Sequence, residues 1–366
     1  MKLTIKTDDL RKAINNTVIN EKSALPVLQH ALIEVFSGKN YADISITTSN
    51  EVETLTNYIQ GNCDKESVVF TANVKQIKSA LFGIDDETIT LTLNERQLAL
   101  IIGRRRYKIE TLAANTFPKS VDDNEIKINM DMEALHKGLG TVQYCRDKSN
   151  DLTIYSGVCF DTDHIVALDG RRCAVAPCMT GLKAPIVIPG HAVPSILKNT
   201  NDECNCFIQT IEETIIGLRF ASKSFSLSIR TKTETYPNWR AALIDIDKAV
   251  TRTEFNAPNL SSAIKRIMPF SLKNIDGKKY QRVSVVSGEN KLSISCPDDS
   301  ADDYAECINT DDFNIEINAL FLSDMLAACG DSVITWHANN AQSVQAFTSD
   351  ASNGVHFIMP MGGVAA

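Results

Sequence analysis

Long apolar segments are missing from this sequence of 366 residues. No apolar run approaches the ~20 residues that a membrane-spanning helix needs, which argues against a membrane protein. The opening residues, MKLTIKTDDLRKAINN, carry charges throughout and lack the apolar core of a signal peptide. We therefore expect a soluble cytoplasmic protein with no membrane partner.

Sequence motifs of several common enzyme classes are absent as well. The chain contains no G-x-x-x-x-G-K-[ST], no G-x-S-x-G, no H-E-x-x-H and no strand-G-x-G-x-x-G-helix unit. Its histidines are scattered, and the one with close carboxylates, in Asp161-Thr-Asp163-His164, falls where a hairpin is expected to turn. We interpret that cluster as a solvated turn rather than a metal or acid–base site.

The ten cysteines lack the spacing of a zinc site. The closest pairs are Cys204 with Cys206 and Cys173 with Cys178, and no C-x2-C pair is matched by a second pair or by two histidines. Most cysteines lie in apolar, strand-like runs, which is typical of small buried side chains in a reducing compartment. The sequence thus predicts no metal and no cofactor.

A strand followed by a helix recurs six times along the chain. The six starts are KLTIKTDDLRKAINNTV from Lys2, VVFTANVKQIKSALF from Val68, IKINMDMEALHKGLGTV from Ile126, IVIPGHAVPSILK from Ile186, TRTEFNAPNLSSAIKRIM from Thr251 and FNIEINALFLSDMLAAC from Phe313. Alternating short strands follow each helix. We predict an α+β protein of three similar domains, 1–124, 125–250 and 251–366, each with two helices and antiparallel sheets.

Five of the six predicted helices carry basic residues opposite their apolar stripe. These are Arg11 and Lys12, Lys75 and Lys78, His136 and Lys137, Lys198, and Lys265 and Arg266, whereas the sixth helix contributes Asp324. One basic face is usually only a solvated face, but five in a chain of net charge −8 indicate a locally basic surface. Such a surface binds the phosphates of nucleic acid without reading sequence.

The stretch IVALDGRRCAVAP, residues 165–177, places an acid and two arginines in a tight turn between two apolar strands. Asp-Gly is a strong hairpin signal, so an ordinary turn is one interpretation. A second is a phosphoester-processing site built from Asp169, Arg171 and Arg172, because a carboxylate beside guanidinium groups holds a phosphate or orients a water. A third is the wall of a docking pocket.

Several stretches, taken in order, resemble the bacterial DNA polymerase III beta subunit, the sliding clamp. They are LPVL at Leu25–Leu28, GRRRYKIETL at Gly103–Leu112 with Phe117-Pro118, YSGVCF at Tyr155–Phe160, ALDGRRCAVA at Ala167–Ala176, TYPNWR at Thr235–Arg240 and FIMPM at Phe357–Met361. The resemblance spans all three predicted domains. It implies the DNA-clamp fold, with two chains joined head to tail as a homodimeric ring.

Helix size supports that stoichiometry. With helices about 10 Å across, twelve side by side enclose a hole of about 28 Å, and six leave about 9 Å. A duplex is at least about 16 Å across, judged from its two groove depths. Two chains are therefore expected to encircle DNA, which one chain cannot do.

The resemblance implies a processivity factor that holds a polymerase on double-stranded DNA without catalysis, and is opened by an ATP-driven clamp loader. Polymerase and loader are expected to dock through short peptide motifs. DNA contacts are expected from Arg11, Lys12, Lys22, Lys75, Lys78, Lys137, Lys198, Lys265 and Arg266. For the subunit contact we expect Phe82 against Met268 and Phe270.

The same resemblance assigns the docking wall to a cleft for client peptides. Matching positions are Leu152, Tyr155, Leu168, Gly170, Arg171, Arg172, Cys173, Pro237, Ala241, Ala242, Ala341, Ser343, Phe357, Ile358, Met359, Pro360 and Met361. The chain departs from the family pattern at Arg171, where His is common, at Cys173, where Leu is common, and at Ala241 and Ala242, which replace a basic and a branched residue. We expect a cleft of altered depth and charge.

Two alternatives remain open at this point. A clamp-like decoy or adaptor would bind client peptides without encircling DNA. A phosphoester-processing enzyme that uses Asp169 with Arg171 and Arg172 would lose its turnover in Asp169→Ala.

Overall fold

The computed structural model describes residues 1–39, 41–94, 97–118, 124–275, 278–309 and 311–362. The chain forms two compact units. We call residues 1–128 with 194–231 the first unit, and residues 129–193 with 232–366 the second unit.

Six α-helices are present among the described residues. They are α1 (Thr7–Asn15), α2 (Val74–Ala80), α3 (Met132–Val142), α4 (Val193–Asn199), α5 (Ala257–Ser271) and α6 (Ala319–Cys329). The starts of three of them are set by capping, because the side chains of Asn73, Asp131 and Asn318 each accept a hydrogen bond from a backbone N–H of the first turn of α2, α3 and α6. Each helix follows a short strand, so all six predicted strand–helix starts are confirmed.

The strands alternate buried and exposed residues wherever one face meets solvent. In the first half of the chain they are β1 (Lys2–Lys6), β2 (His30–Ser37), β3 (Ala42–Ser49), β4 (Glu53–Cys63), β5 (Ser67–Asn73), β6 (Thr88–Asn94), β7 (Gln97–Ile102), β8 (Arg105–Ile109), β9 (Asn124–Ile128), β10 (Gly157–Phe160), β11 (His164–Leu168), β12 (Arg172–Pro177) and β13 (Ile186–Pro189).

Twelve further strands follow. They are β14 (Asn205–Ile211), β15 (Thr214–Ala221), β16 (Phe225–Arg230), β17 (Thr251–Asn256), β18 (Leu272–Ile275), β19 (Lys278–Gly288), β20 (Lys291–Ser295), β21 (Asp302–Asn309), β22 (Phe313–Asn318), β23 (Val333–Ala338), β24 (Gln345–Ser349) and β25 (Ser352–Ile358).

The first unit is built on an antiparallel sheet. Its strands run in the order β8-β7-β6-β1-β4-β16-β15-β14-β9, with β3 joining β4 to β2 and β2 pairing with β5. Helix α1 buries Leu10, Ala13 and Ile14 against this sheet, and α2 buries Val74 and Ile77. These are the apolar stripes that the sequence predicts.

The second unit contains a second antiparallel sheet. Its order is β13-β10-β11-β12-β25-β24-β23-β17-β21-β20-β19-β18, with β22 pairing with β19. Strands β11 and β12 carry apolar residues on both faces of the sheet, and α3 packs on one of these faces. Gly138 of α3 lies directly over Ile165 and Ala176 on that face.

The predicted α+β class with antiparallel sheets is therefore confirmed, and each predicted third of the chain contributes two of these helices. The boundaries at 124/125 and 250/251 stay a prediction. All ten cysteines are free thiols, and seven of them are buried, whereas Cys63, Cys204 and Cys307 are half-buried. The prediction of mostly buried cysteines is confirmed.

A candidate peptide groove and a basic helix surface

A small apolar groove lies on the face of β11 and β12 opposite α3. It has a volume of about 100 Å³ and is lined by Leu168, Gly170, Arg171, Arg172, Cys173, Trp239, Leu243, Val344, Phe357 and Met359. Strand register explains three of these, since Leu168 pairs with Cys173 and Cys173 pairs with Phe357 across three adjacent strands. Their side chains therefore share one face of the sheet.

The Asp169-Gly170 corner is a two-residue hairpin turn. Gly170 has φ +85°, which a type II′ turn requires at its first central position. The Asp169 carboxylate accepts hydrogen bonds from the backbone N–H groups of Arg171 and Arg172, at 3.0 and 3.1 Å. The Asp169 carboxylate thus stabilises the turn through these two hydrogen bonds.

Arg172 is locked beneath the groove. Its guanidinium donates to Asp169 at 2.8 Å and to Asp324 of α6 at 2.6 Å, and only 9% of the side chain is exposed. The guanidinium also lies over the Phe321 ring, 4.5 Å from the centroid. Burial alone lowers the pKa of Arg172, but the hydrogen bond to Asp324 and the charge of Asp169 outweigh it and raise the pKa. This arginine is a structural tie between the hairpin and α6.

Arg171, its neighbour, is exposed at the rim of the groove. Among the residues that the structure describes, no carboxylate pairs with its guanidinium. Its backbone is nevertheless fixed on both sides, because the Met359 N–H donates to the Arg171 carbonyl at 2.8 Å. The hairpin therefore contains one arginine that is paired with carboxylates, Arg172, and one that has no carboxylate partner among the described residues, Arg171.

The pairing of Asp169 and Arg172 within the hairpin argues against the phosphoester-processing alternative. Asp169 is occupied by three donors and Arg172 by two carboxylates, which leaves Arg171 alone to face a substrate. A metal-ligating cluster of three or more His, Cys, Asp or Glu side chains is not found in the described part of the chain.

The indole of Trp239 forms another wall of the groove and is held by the Asp161 cluster. Its Nε1–H donates to Asp161 at 3.1 Å, and the Arg240 guanidinium stacks on its ring at 4.1 Å. Arg240 bridges Asp161 and Asp163. Burial alone raises the pKa of Asp161, but Arg240, the Thr162 N–H and the indole N–H outweigh it and lower the pKa.

The interpretation of this cluster as a solvated turn is therefore only half right. The hairpin turn lies between β10 and β11 as predicted, and Asp163 is exposed in part. Asp161, however, is 5% exposed, because Arg240 arrives from a segment far along the chain and neutralises it. Its role is to hold Trp239.

The groove brings together seven of the predicted peptide-binding residues: Leu168, Gly170, Arg171, Arg172, Cys173, Phe357 and Met359. Tyr155 packs against the same apolar cluster. The remaining positions lie outside the lining. Leu152, Ala241 and Ala341 are exposed, Pro237, Ser343, Pro360 and Met361 are half-buried, Ile358 is fully buried, and Ala242 belongs to the turn Trp239–Ala242.

Sequence reasoning missed three lining residues, Trp239, Leu243 and Val344. The motif TYPNWR contains Trp239, but its indole was not assigned to the site. Leu243 and Val344 lie in segments with no distinctive motif, and only the fold brings them to the hairpin.

The first unit presents basic side chains on and near its helices. Lys12, Lys22 and Lys75 are exposed. Lys78 is half-buried and donates to Thr17 at 3.1 Å, and burial together with the nearby Lys198 ammonium lowers its pKa. Lys198 itself donates to a backbone carbonyl of α1, that of Asn15, at 3.2 Å.

Arg11 differs from these lysines. Its guanidinium donates to Asp8, three residues earlier on α1, and to the carbonyl of Ile84. Arg11 is half-buried, because an acid on the same helix and a backbone acceptor hold it, and its contact with DNA stays a prediction.

Two of the basic residues of the second unit carry acidic partners. Lys137 pairs with Glu133 one turn earlier, at 2.7 Å, and Arg266 pairs with Asp303 at 2.6 Å. Lys265 is exposed, and no carboxylate of the described residues pairs with it. Near the predicted subunit contact, Phe82 is 90% exposed, Phe270 is 54% exposed and Met268 is half-buried.

None of the described helices combines the length and the apolar character that a membrane span requires.

The sequence and the fold of this chain were both compared with those of known proteins. Residues 1–122 match the family model described as DNA polymerase III beta subunit, N-terminal domain. The beta sliding clamp of Haemophilus influenzae is 22% identical over 347 residues, with 90% of each chain covered, and that of Vibrio cholerae is 21% identical over 99% of this chain and all of its own. The solved DNA polymerase III subunit beta of Pseudomonas aeruginosa superimposes with a TM-score of 0.84 at 18% identity, covering 99% and 100% of the two chains. The resemblance seen in the sequence is therefore confirmed: this chain is similar to the beta sliding clamps along its whole length, and it has their fold.

Proposed function

We propose that this protein is a DNA sliding clamp, a processivity factor that closes around duplex DNA and keeps a polymerase on its template. The observation that carries the proposal is the match in fold over 99% of the chain to a DNA polymerase III subunit beta. A topological link retains the polymerase even where each phosphate contact is weak. No catalytic group is needed, which agrees with the commitment of Asp169 and Arg172 to the hairpin.

The exposed basic side chains of the helices are the proposed contacts to DNA. Lys12, Lys22, Lys75, Lys198 and Lys265 are exposed, and of these Lys198 would give up its hydrogen bond to the Asn15 carbonyl to reach a phosphate. We expect Lys78 to share in this through its position beside Lys198. Contacts of this kind are independent of sequence and weaken with salt. They suit a protein that slides.

We further propose a ring made of two copies of the chain. Strands β8 and β18 lie at the ends of their sheets, and each pairs with a single neighbour among the described strands. Such edges favour pairing with another chain. Phe82 and Phe270 add exposed aromatic surface for a subunit contact.

The groove is proposed to receive short peptides from a polymerase and from a clamp loader. Its lining is largely apolar and combines the buried indole of Trp239 with the exposed side chain of Met359, which is typical of anchor sites that accept several partners. The activity is expected inside the cell, where the DNA is.

Retention on circular DNA tests the proposal. The protein is incubated with nicked circular plasmid at a salt concentration that removes ordinary phosphate contacts, and is then separated by gel filtration. We expect it to elute with the circle and to be released when the plasmid is linearised. Phe82→Ser is expected to abolish retention while peptide binding persists.

Equal retention on circular and linear DNA would contradict encirclement. Binding of client peptide with no retention on either DNA would support the decoy alternative instead.

A further inference from the structure

In the β11–β12 hairpin Arg172 is paired with two carboxylates, whereas its neighbour Arg171 is exposed and has no carboxylate partner among the described residues. This difference points to the class of ligand that the groove binds. We propose that Arg171 selects client peptides that carry an acidic side chain next to the apolar anchor. The inference rests on the proposed role of the groove as a client site, and adds the charge that the client must bring.

The apolar part of the groove accommodates one side chain. Its volume of about 100 Å³ is small beside the roughly 300–1,000 Å³ of typical ligand pockets. Leu168, Trp239 and Phe357 form its walls. A single aliphatic side chain fits this space, and the neighbouring residues of the peptide must then lie at the rim.

The charge at that rim comes from Arg171. Arg172 contributes little to it, because Asp169 and Asp324 offset its guanidinium from two sides. Arg171 is exposed, and the described residues supply no carboxylate to it. A ligand carboxylate at this rim therefore gains a partner without displacing one.

We expect the acid of the peptide to lie at the hairpin rim of the groove, within reach of the Arg171 guanidinium. Both ends of Arg171 are fixed through Asp169 and Met359, so the guanidinium moves on an anchored backbone. One free arginine suits a carboxylate, whereas phosphate recognition by proteins generally uses clusters of arginines.

A display selection tests this inference. A library of eight-residue peptides with one fixed leucine and randomised neighbours is selected on the full-length protein, on Arg171→Gln and on Arg171→Glu. Lys183→Glu is the matched control, since Lys183 is exposed and lies in the loop after the opposite end of β12. Peptides enriched on each protein are then measured by fluorescence anisotropy.

We expect enrichment of Asp and Glu next to the leucine on the wild type and on Lys183→Glu. The enrichment should vanish on Arg171→Gln and turn to Lys and Arg on Arg171→Glu. For a matched Asp and Asn peptide pair, the wild type should favour Asp by about two- to fivefold, as an exposed ion pair does, and the preference should fall in high salt.

The failures are distinguishable. Peptides enriched with no charge preference, or with the same preference on Arg171→Glu, would overturn the role of Arg171 and leave the groove as a client site. No enrichment above that on Trp239→Ala, which removes a wall of the groove, would overturn the groove function and the inference with it. Unchanged thermal unfolding of the Arg171 variants confirms that each outcome concerns binding.

Discussion

The groove of the second unit and the basic helix surface of the first unit are built in opposite ways. Around the groove, Asp161 and Arg172 are buried and paired and fix the apolar walls, whereas Arg171 is exposed at the rim. On the helices of the first unit Lys12, Lys75 and Lys198 are exposed and Lys78 is half-buried, and the described residues place no carboxylate in an ion pair with them. From this contrast we expect the proposed peptide binding to depend on few residues of large effect, and the proposed DNA contact to be spread over many residues of small effect.

Removing the Trp239 indole should cause the largest loss of affinity that a single substitution produces. Trp239→Ala is expected to weaken binding of a groove-selected peptide by about 2–4 kcal/mol, roughly 30-fold or more, because it deletes a wall of a desolvated pocket. Trp239→Phe, which keeps an aromatic ring but loses the N–H donor, should lose less. Calorimetric titration measures both, and a loss for Trp239→Ala no larger than that of a single helix lysine on DNA would erase the contrast.

Asp161 tests whether buried pairing holds the groove. Asp161→Asn is expected to lower the free energy of unfolding at pH 7 by about 1–3 kcal/mol, the range of charge-assisted hydrogen bonds. Because the pKa of Asp161 in the folded protein lies below its ordinary value of 3.8, the wild type has this stabilisation above the unfolded-state pKa. The advantage over the variant should shrink as the pH falls through the folded-state pKa. Urea unfolding at neutral and acidic pH measures it, and a difference that stays constant into acid would argue against an ionised Asp161.

Lysines of the helix surface should each have a small effect. Lys75→Ala is expected to weaken DNA binding by a few-fold and to reduce the slope of log K against log salt by about 0.9. Lys137→Ala is the matched comparison, since Glu133 already pairs with Lys137, and its effect should be smaller. Anisotropy titrations on a short duplex at several salt concentrations measure both. Equal slopes for the two variants would show that an acidic partner does not decide which lysines contact DNA.

Local sequence signals predicted the framework well. Apolar stripes and short alternating strands mark the strand–helix starts, and capping side chains mark those of α2, α3 and α6. All of these signals act within a few residues of the element that they specify. The Asp169-Gly170 turn was recognisable for the same reason.

Contacts between distant segments were not predictable in this way. Asp324 lies 152 residues from Arg172 in the sequence, and Arg240 lies 79 residues from Asp161. The pairing of Arg172 and the burial of Asp161 therefore emerge only from the fold. The pairing of Arg11 with Asp8 is different, because a spacing of three residues on a helix is a local signal that sequence reasoning could have used.

The distribution of thiols has a practical consequence. Burial raises the pKa of Cys159, Cys173 and Cys206 to about 12, so their thiolates are scarce and alkylating reagents should leave them intact. Cys63 and Cys204 in the first unit and Cys307 in the second are half-buried. Burial also raises the pKa of Cys204, and it raises that of Cys307 to about 11, so a maleimide dye should label these two thiols slowly as well.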